Sequence, residues 1–407
     1  MKLGDIELSG PFVSPGLTPA ALGASLAPEK LPLVLAPSGP RGWFGGIALA
    51  CWEPRTVHTD LAYERAADLL DDVMRRHDPL LAGAVLPYDG PAEVRVYGGG
   101  WVLGAQGWRA WGDAEPLPAP GTVPASADGP LLAGSTTDLD ESTYTTAVRE
   151  TQERIAAGDV YVLNLTYRVS GAPSAPSAVA FGTLLARAAA PMAALWGAPE
   201  GALASASPER FCRLERAANG LWSAGIEPIK GTRPRHADAA EDARLARELA
   251  ADEKERAEHI MIVDLERNDL GRVAIPGSVR VDPLLEVFGT PYCHQLVSSV
   301  RATLRPDASL ADVVTAVFPC GSVTGAPKRA AMRIIGELER SVRGAYTGSL
   351  LVAVPGALDS SVLIRTLEYT GGQQARWGTG CGITIDSDPA AEWQEALLKV
   401  GPVLGTR

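Results

Sequence analysis

The stretch DEKERAEHIMIVDLERNDLGR, residues 252–272, joins acidic side chains to an apolar run in one segment without proline. The apolar run at 260–263 predicts that this helix is mostly buried. Glu255 and Glu258 are three positions apart, which places both carboxylates on one helical face. Glu392 and Glu395 repeat this spacing near the end of the sequence, with Lys399 one turn further on. The two segments therefore predict two helices that each present a pair of carboxylates.

Paired glutamates of this kind favour a metal site. Like charges on neighbouring helical positions repel by roughly 0.2–0.5 kcal/mol, and a hard divalent cation such as Mg²⁺ reverses that penalty. A single pair is more often a solvated helical face, because glutamate is usually exposed. The spacing alone is weak evidence, and the surrounding motifs decide what the pairs mean.

The composition fits a large globular protein. The chain has 407 residues, of which 46% are hydrophobic and 21% are charged, enough for one or two buried cores. A net charge of -11 without a basic stripe argues against nucleic-acid binding. The five cysteines form no CxxC pair, which argues against a zinc site or disulfide framework and favours a reducing cytoplasm. We expect a cytoplasmic protein without a membrane partner, since neither a signal-peptide pattern nor a membrane-spanning run is present.

Strands and helices are mixed along the chain without regular alternation, which favours an α+β fold. Short apolar runs predict strands at 31–35, where a proline suggests an edge or a strand start, at 93–97 and at 160–167. Helices are predicted at about 61–76, 142–157 with Ser142 as its cap, 238–265, 328–340 and 390–400. The loop-like stretch 116–135 suggests a boundary between subdomains.

Five further motifs accompany the glutamate helices. They are SPERF (207–211), PIKGTRPR (228–235), GSVTGAPK (321–328), GAYTGS (344–349) and GTGCGI (378–383). In this order the chain resembles the chorismate-utilising enzymes, which include anthranilate synthase component I, aminodeoxychorismate synthase component I, and isochorismate and salicylate synthases. The resemblance is dense over about 140–402 and thin before that. It implies two face-packed, mainly antiparallel sheets flanked by helices, with an N-terminal subdomain (1–137) and a chorismate-binding catalytic region (138–407) in one intertwined globule.

The resemblance also assigns roles to individual residues. Glu258 and Glu395 match the main Mg²⁺ ligands, which Glu255 and Glu392 supplement directly or through water, and the metal would bind the ring carboxylate of chorismate. Glu209 matches a general acid that protonates the leaving C4 hydroxyl. The matching substrate contacts are Tyr346 and Arg365, for the enolpyruvyl carboxylate, and Gly231, Thr232, Gly380, Gly382 and Lys399.

Lys230 indicates the branch of the family. Anthranilate synthases resemble this stretch with alanine in place of the lysine, whereas aminodeoxychorismate synthases carry the lysine as a proposed nucleophile at C2. The expected reaction is therefore amination of chorismate at C4, giving 4-amino-4-deoxychorismate. A nucleophilic lysine must be partly neutral, and we expect burial to lower its pKa.

Four positions depart from the usual pattern of the family. Val162 stands where aminodeoxychorismate synthases usually have glutamine, and where the water-using branch has a catalytic lysine. Gln295 replaces a histidine that is linked with pyruvate elimination in anthranilate synthases. Cys320 and Cys381 occupy positions of glycine or another small residue.

The sequence alone leaves two alternatives open. The chain could be an anthranilate or 2-amino-2-deoxyisochorismate synthase subunit, which Lys230 opposes. It could also be a degenerate paralogue that binds chorismate or a glutaminase. No glutaminase motif is present, so we expect ammonia to come from a separate glutamine amidotransferase subunit, in a pathway to p-aminobenzoate and folate or to a related natural product.

Overall fold

The computed structural model describes residues 6, 8, 12–13, 17–39, 41–76, 78–118, 126–188, 190–289, 293–371 and 373–406. The first five residues, which entered the argument about a signal peptide, lie outside these ranges, and so does part of the stretch 116–135. None of the described helices combines the length and the apolar character that crossing a bilayer requires.

The helices lie on the outer faces of the sheets. In the described residues they are α1 Pro19–Ala24, α2 Tyr63–Arg75, α3 Glu141–Ala156, α4 Ser177–Ala188, α5 Ala239–Ala251, α6 Glu253–Gly271, α7 Leu310–Val317, α8 Lys328–Leu338, α9 Pro389–Leu398 and α10 Gly401–Leu404, with short 3-10 turns at Pro28–Lys30, Trp43–Gly45 and Gly321–Val323.

The strands are mostly short and all their pairings are antiparallel. They are β1 Leu33–Leu35, β2 Ala48–Cys51, β3 Thr56–Leu61, β4 Leu81–Leu86, β5 Ala92–Tyr97, β6 Gly99–Gly104, β7 Gly107–Gly112, β8 Leu132–Thr137, β9 Val162–Pro173, β10 Met192–Trp196, β11 Leu203–Ser207, β12 Arg210–Arg216, β13 Trp222–Glu227, β14 Ile229–Pro234, β15 Arg280–Val281, β16 Glu286–Gly289, β17 Cys293–Val297, β18 Val300–Thr303, β19 Gly325–Ala326, β20 Ser349–Val354, β21 Ala357–Val362, β22 Thr366–Tyr369 and β23 Ala375–Ile383.

These strands form two large sheets and one small one. The larger has eleven strands in the order β19-β9-β23-β22-β11-β10-β1-β2-β6-β7, with β8 paired to β9. The second has nine, in the order β15-β18-β13-β12-β21-β20-β4-β5-β3, and the third has the order β14-β17-β16. A core rich in tryptophan joins the facing sides of the two large sheets, including Trp43, Trp111, Trp196 and Val352. The expected α+β architecture of face-packed antiparallel sheets is therefore confirmed.

Strands that precede residue 137 enter both large sheets, because β1, β2, β6 and β7 belong to the eleven-stranded sheet and β3 to β5 belong to the nine-stranded one. The division of the chain at 137 remains a prediction. The strand predicted at 31–35 is not at an edge: β1 lies between β10 and β2, and only the expectation of a strand start after Pro32 is met.

Two helix predictions are wrong, one at an internal break and one at a cap. The helix expected over 238–265 is two helices, because Asp252 adopts an extended backbone that ends α5 and begins α6. Its carboxylate accepts hydrogen bonds from the Glu255 backbone at 3.0 Å and from the Arg233 side chain at 2.7 Å. The cap of α3 is Asp140 rather than Ser142, since the Asp140 carboxylate accepts from the Thr143 backbone.

Candidate active site

Glu209 and Arg365 lie in two links that cross between the large sheets next to each other. Glu209 lies in the two-residue link from β11, in the eleven-stranded sheet, to β12, in the nine-stranded sheet. Arg365 lies in the link that returns from β21 to β22. Backbone hydrogen bonds tie the links to the strands beside them: Val362 N–H donates to Glu209 O at 3.1 Å, and Ala206 N–H donates to Arg365 O at 2.9 Å. Each of these two adjoining links thus contributes one ionisable side chain, a carboxylic acid on Glu209 and a guanidinium on Arg365.

Glu209 has the environment of an acid. Its side chain is 4% exposed, and its Oε1 has no hydrogen-bond partner in the described part of the chain. Burial raises the pKa of Glu209 to about 7, against the opposing effects of the Ser322 hydroxyl and the Lys230 charge. The carboxyl can therefore hold a proton near neutral pH and still release it.

Arg365 is suited to a ligand carboxylate. It is partly buried, with φ 49° in the left-handed region, and burial lowers the pKa of its guanidinium. Among the residues that the structure describes, no carboxylate lies within salt-bridge distance of it. Guanidinium groups bind carboxylates through two parallel hydrogen bonds, so a ligand carboxylate can bind Arg365 without displacing a carboxylate of the described residues.

Lys230, Glu258 and Gly382 meet at the centre of the site from β14, α6 and β23. Lys230 Nζ donates to Glu258 Oε1 at 2.7 Å, and the two side chains are 13% and 9% exposed. A Cβ atom at position 382 would overlap Glu258 Oε1 and would lie 3.0 Å from Lys230 Nζ. Glycine is therefore required at 382 for this ion pair to fit.

The charge state of Lys230 differs from the expectation. Burial lowers the pKa of Lys230, but the Glu258 carboxylate outweighs burial, and the pKa is raised above its usual value. The expected lowering is wrong for this structure, because an opposite charge at hydrogen-bond distance exceeds the penalty of desolvation.

The four predicted metal ligands are each paired with a cation. The pairs are Glu258 with Lys230 at 2.7 Å, Glu395 with Lys399 at 2.8 Å, Glu392 with Lys254 at 3.1 Å, and Glu255 with Arg233 at 3.8 Å. Burial and the charges of Glu258 and Glu395 raise the pKa of Glu255, so these carboxylates are close enough to repel one another. Lys254 and Arg233 were not identified from the sequence, although Lys254 lies inside its decisive stretch.

The closest group of possible metal ligands differs from the predicted set. Ligand atoms of Cys381, Glu392 and Glu395 lie within 4.8 Å of one another, and no group of three containing Glu255 or Glu258 is as compact in the described ranges. The Cys381 thiol is buried, which raises its pKa to about 12. The position noted from the sequence as a departure thus adjoins the second glutamate pair.

The remaining predicted contacts surround this centre. Tyr346 is 7% exposed, and a Cβ atom at Gly378 would overlap its ring. Lys399 Nζ donates to Gly380 O at 2.9 Å. Gly380 lies so close to Leu165 O on β9 that a Cβ atom would overlap that oxygen, so this glycine also serves the pairing of β9 with β23.

Gly231 and Thr232 lie where β14 departs from regular pairing. Gly231 has φ 67°, and the register with β17 shifts between Lys230 and Thr232. A Cβ atom at Gly231 would lie 3.1 Å from a carboxylate oxygen of Glu255. Thr232 is exposed and pairs in register with Gln295, which is 4% exposed on β17.

Val162 and Cys320, two of the departures from the family pattern, are both buried. Val162 is 1% exposed and packs with Ile262 and Ala326 in a small apolar cluster. Cys320 Sγ lies 3.5 Å from Glu266 Oε1. Burial raises the pKa of Glu266 well above its usual value, and so does the charge of Glu209. Val162 thus contributes packing, whereas Cys320 lies beside a second buried acid.

Residues 114–405 match the family model described as chorismate binding enzyme. The chain belongs to this family. It is 41% identical to aminodeoxychorismate synthase component 1 of Klebsiella aerogenes over 296 residues, which are 72% of the chain and 63% of that protein. It is 42% identical to anthranilate synthase component 1 of Streptomyces coelicolor over 270 residues, which are 65% of the chain and 51% of that protein. The chain thus spans between half and two thirds of the length of these curated relatives.

Solved structures agree with this fold. Anthranilate synthase component I from Streptococcus pneumoniae TIGR4 superposes with a TM-score of 0.74 at 24% identity, over 88% of this chain and 92% of that chain. At this identity the likeness establishes the fold alone. Relatives of similar identity carry both activity names, so the branch must be argued from the site.

Proposed function

We propose that this protein aminates chorismate at C4 with ammonia and produces 4-amino-4-deoxychorismate. The observation that carries the proposal is the position of Lys230, whose amine lies 2.7 Å from Glu258 in the buried centre of the site and interacts electrostatically with Glu209. The family resemblance associates lysine at this position with amination at C4, and alanine with anthranilate formation.

In the proposed first step, the neutral Lys230 amine forms a bond to C2 of chorismate. Because the Glu258 charge raises the pKa of Lys230, the amine must first release one proton to the solvent, and it takes a proton up again when the cycle is complete. The two ring double bonds shift and the C4–O bond breaks. Glu209 gives its proton to the departing hydroxyl, which leaves as water. The pKa of Glu209, raised by burial to about 7, supports this role because a protonated carboxyl persists near neutral pH.

In the second step, ammonia forms a bond to C4 and the double bonds shift back. The bond between C2 and Lys230 breaks, and its electron pair returns to the lysine nitrogen. The new C4 ammonium gives a proton to the Glu209 carboxylate. Glu209 is then again in its acid form and Lys230 is again a free amine. The net products are 4-amino-4-deoxychorismate and water.

The carboxylate set fits Mg²⁺ as a proposed cofactor. Mg²⁺ takes carboxylate oxygens as ligands, and the mutual repulsion at Glu255 is the condition that a divalent cation relieves. Glu258 and Glu395 would be the main ligands, with Glu255 and Glu392 contributing directly or through water. When bound, Mg²⁺ would supply positive charge for the ring carboxylate of the substrate.

The other end of the substrate is assigned to Arg365 and Tyr346. Arg365 supports this assignment because its guanidinium has no carboxylate partner among the described residues. Gly231, Thr232, Gly380, Gly382 and Lys399 are proposed as further contacts that surround the substrate. Ammonia would come from a separate glutamine amidotransferase subunit, a proposal that the name "component 1" of the Klebsiella relative supports.

The product identifies the reaction. Pure protein is incubated with chorismate, Mg²⁺ and ammonium, and the product is identified by mass and by conversion to p-aminobenzoate with an added lyase. We expect p-aminobenzoate after the lyase step. Anthranilate as the product would overturn the proposed branch, and bound chorismate without turnover would favour a non-catalytic paralogue.

A lysine variant tests the covalent route separately. Lys230→Ala is expected to abolish amination, whereas Lys30→Ala, at a half-exposed surface lysine paired with Glu53, is expected to retain it. A mass increase on Lys230 after quenching the wild-type reaction would identify the adduct. Full activity of Lys230→Ala would exclude the lysine adduct and leave the assignment of the product intact.

A further inference from the structure

Arg168 is a buried guanidinium that the family resemblance did not single out. It lies on β9 and is 3% exposed. Its Nη1 donates to Thr166 Oγ1 and to Tyr167 O, both at 3.0 Å. Its Nε and Nη2 have no hydrogen-bond partner within the described ranges. Buried charged groups normally have their donors satisfied, so these two unmet donors call for a functional explanation.

The carboxylate nearest the guanidinium is largely committed elsewhere. Glu339 Oε2 lies 3.7 Å from Arg168 Nη2. The same carboxylate accepts from Arg343 at 2.6 and 2.9 Å, and from the Thr166 hydroxyl at 2.8 Å. Asp138 accepts from the Arg168 backbone rather than from its guanidinium, and its partly exposed charge acts on the guanidinium less than the charge of Glu339 does. Two buried guanidinium groups thus share one buried carboxylate, which leaves an excess of positive charge.

This excess charge lies against Tyr346. The Arg168 guanidinium carbon is 4.7 Å from the centre of the Tyr346 ring. Gly378 pairs with Arg168 in the strand register, and a Cβ atom at Gly378 would overlap the ring. Arg168 and Gly378, adjacent on β9 and β23, therefore form a platform that fixes the ring. A guanidinium over an aromatic face is attracted by the ring quadrupole, most strongly when both groups are desolvated.

We propose that Arg168 is a positioning residue for chorismate: it holds Tyr346 in place and supplies positive charge behind the substrate carboxylate that Tyr346 and Arg365 bind. This inference rests on the proposed function, because it takes Tyr346 as a substrate contact. Arg168 acts through Tyr346 and through the electric field of its own guanidinium, and needs no direct contact with the reacting atoms.

The first test removes the charge of Arg168 and retains the aliphatic part of its side chain. For Arg168→Met, KM for chorismate is expected to rise about ten-fold, as for loss of a desolvated cation–π contact. The value of kcat is expected to stay within about two-fold of wild type, because the reacting groups are untouched. Arg187→Met is the matched control, since Arg187 also donates to a backbone carbonyl, Pro402 O at 2.7 Å, but is not among the charges that act on Tyr346. It should lose stability and keep its KM.

The second test changes the charge in the opposite direction. Glu339→Gln removes the carboxylate that the two arginines share, so the positive excess grows and KM for chorismate is expected to fall. Arg168→Met and Glu339→Gln are both expected to unfold at a lower urea concentration than the wild type. Opposite changes in KM with the same change in stability separate an electrostatic role from a merely structural one.

Unchanged KM in Arg168→Met would overturn the inference, and so would an unchanged or raised KM in Glu339→Gln. Glu339→Gln decides the question by itself if Arg168→Met fails to fold. Measuring the affinity for chorismate by calorimetry separates the failure of this inference from the failure of the proposed function. Wild-type protein that binds chorismate but forms a different product contradicts the function, whereas wild-type affinity in Arg168→Met contradicts the role of Arg168.

Discussion

Replacing Gly382 by alanine tests the centre of the site with one methyl group. The new Cβ would overlap Glu258 Oε1 and lie 3.0 Å from Lys230 Nζ. The carboxylate must therefore move by about 1 Å to reach an ordinary van der Waals separation. That movement lengthens the 2.7 Å hydrogen bond between two side chains that are almost buried.

The expected cost follows from these contacts. Overpacking a close-packed region costs about 1–3 kcal/mol, and the weakened ion pair acts in the same direction because its charges stay buried. We expect the free energy of unfolding to fall by about 2 kcal/mol. A displacement of about 1 Å in a positioned group can reduce a rate on the order of 10²-fold, so amination activity should fall by about that factor.

Gly336→Ala is the matched control. Gly336 lies inside α8 with no atom within 4 Å of a Cβ, so the same chemical change should raise stability by about 0.5–1 kcal/mol and leave activity unchanged. Urea denaturation and steady-state kinetics measure both variants. Wild-type stability and activity in Gly382→Ala would refute the packing argument, and a loss of activity in Gly336→Ala would show that the assay lacks specificity.

Three other predictions concern charge and capping. Burial raises the pKa of Glu209 from 4.5 to about 7, so the stability measured by urea midpoints should fall as pH rises between these values, and activity at fixed free ammonia should fall above pH 7. Glu209→Gln should be inactive, and its stability should no longer fall over this pH range. Mg²⁺ at a hundred times its Kd should stabilise the wild type by about 2.7 kcal/mol in thermal unfolding. Glu258→Gln should not be stabilised by Mg²⁺, whereas Glu64→Gln, at an exposed position of α2, should be stabilised as much as the wild type. Asp252→Ala should lower the free energy of unfolding in urea by about 1–2 kcal/mol and reduce activity, because it releases the first turn of α6, whereas Asp140→Ala should lower stability alone. Equal activity in the two variants would contradict a link between the Asp252 cap and the site.

Local sequence was informative where neighbouring residues determine the outcome. Helices α2 and α8 begin and end within two residues of the predicted bounds. The strand at 93–97 appears as β5 with one added residue. The break at Asp252 could not be predicted from periodicity, because residues on both sides favour helix and the break is held by an arginine nineteen positions away.

The sequence by itself determined the family, the candidate acid and nucleophile of the site, and the glutamate spacing, because motifs place those residue types at fixed intervals along one chain. Only the tertiary structure decided which cation faces which carboxylate. Lys254 meets Glu392 across 138 positions, and Lys230 meets Glu258 across 28. The charge state of Lys230 follows from that placement, since Coulomb energy and desolvation depend on distance and burial in three dimensions and not on separation along the chain.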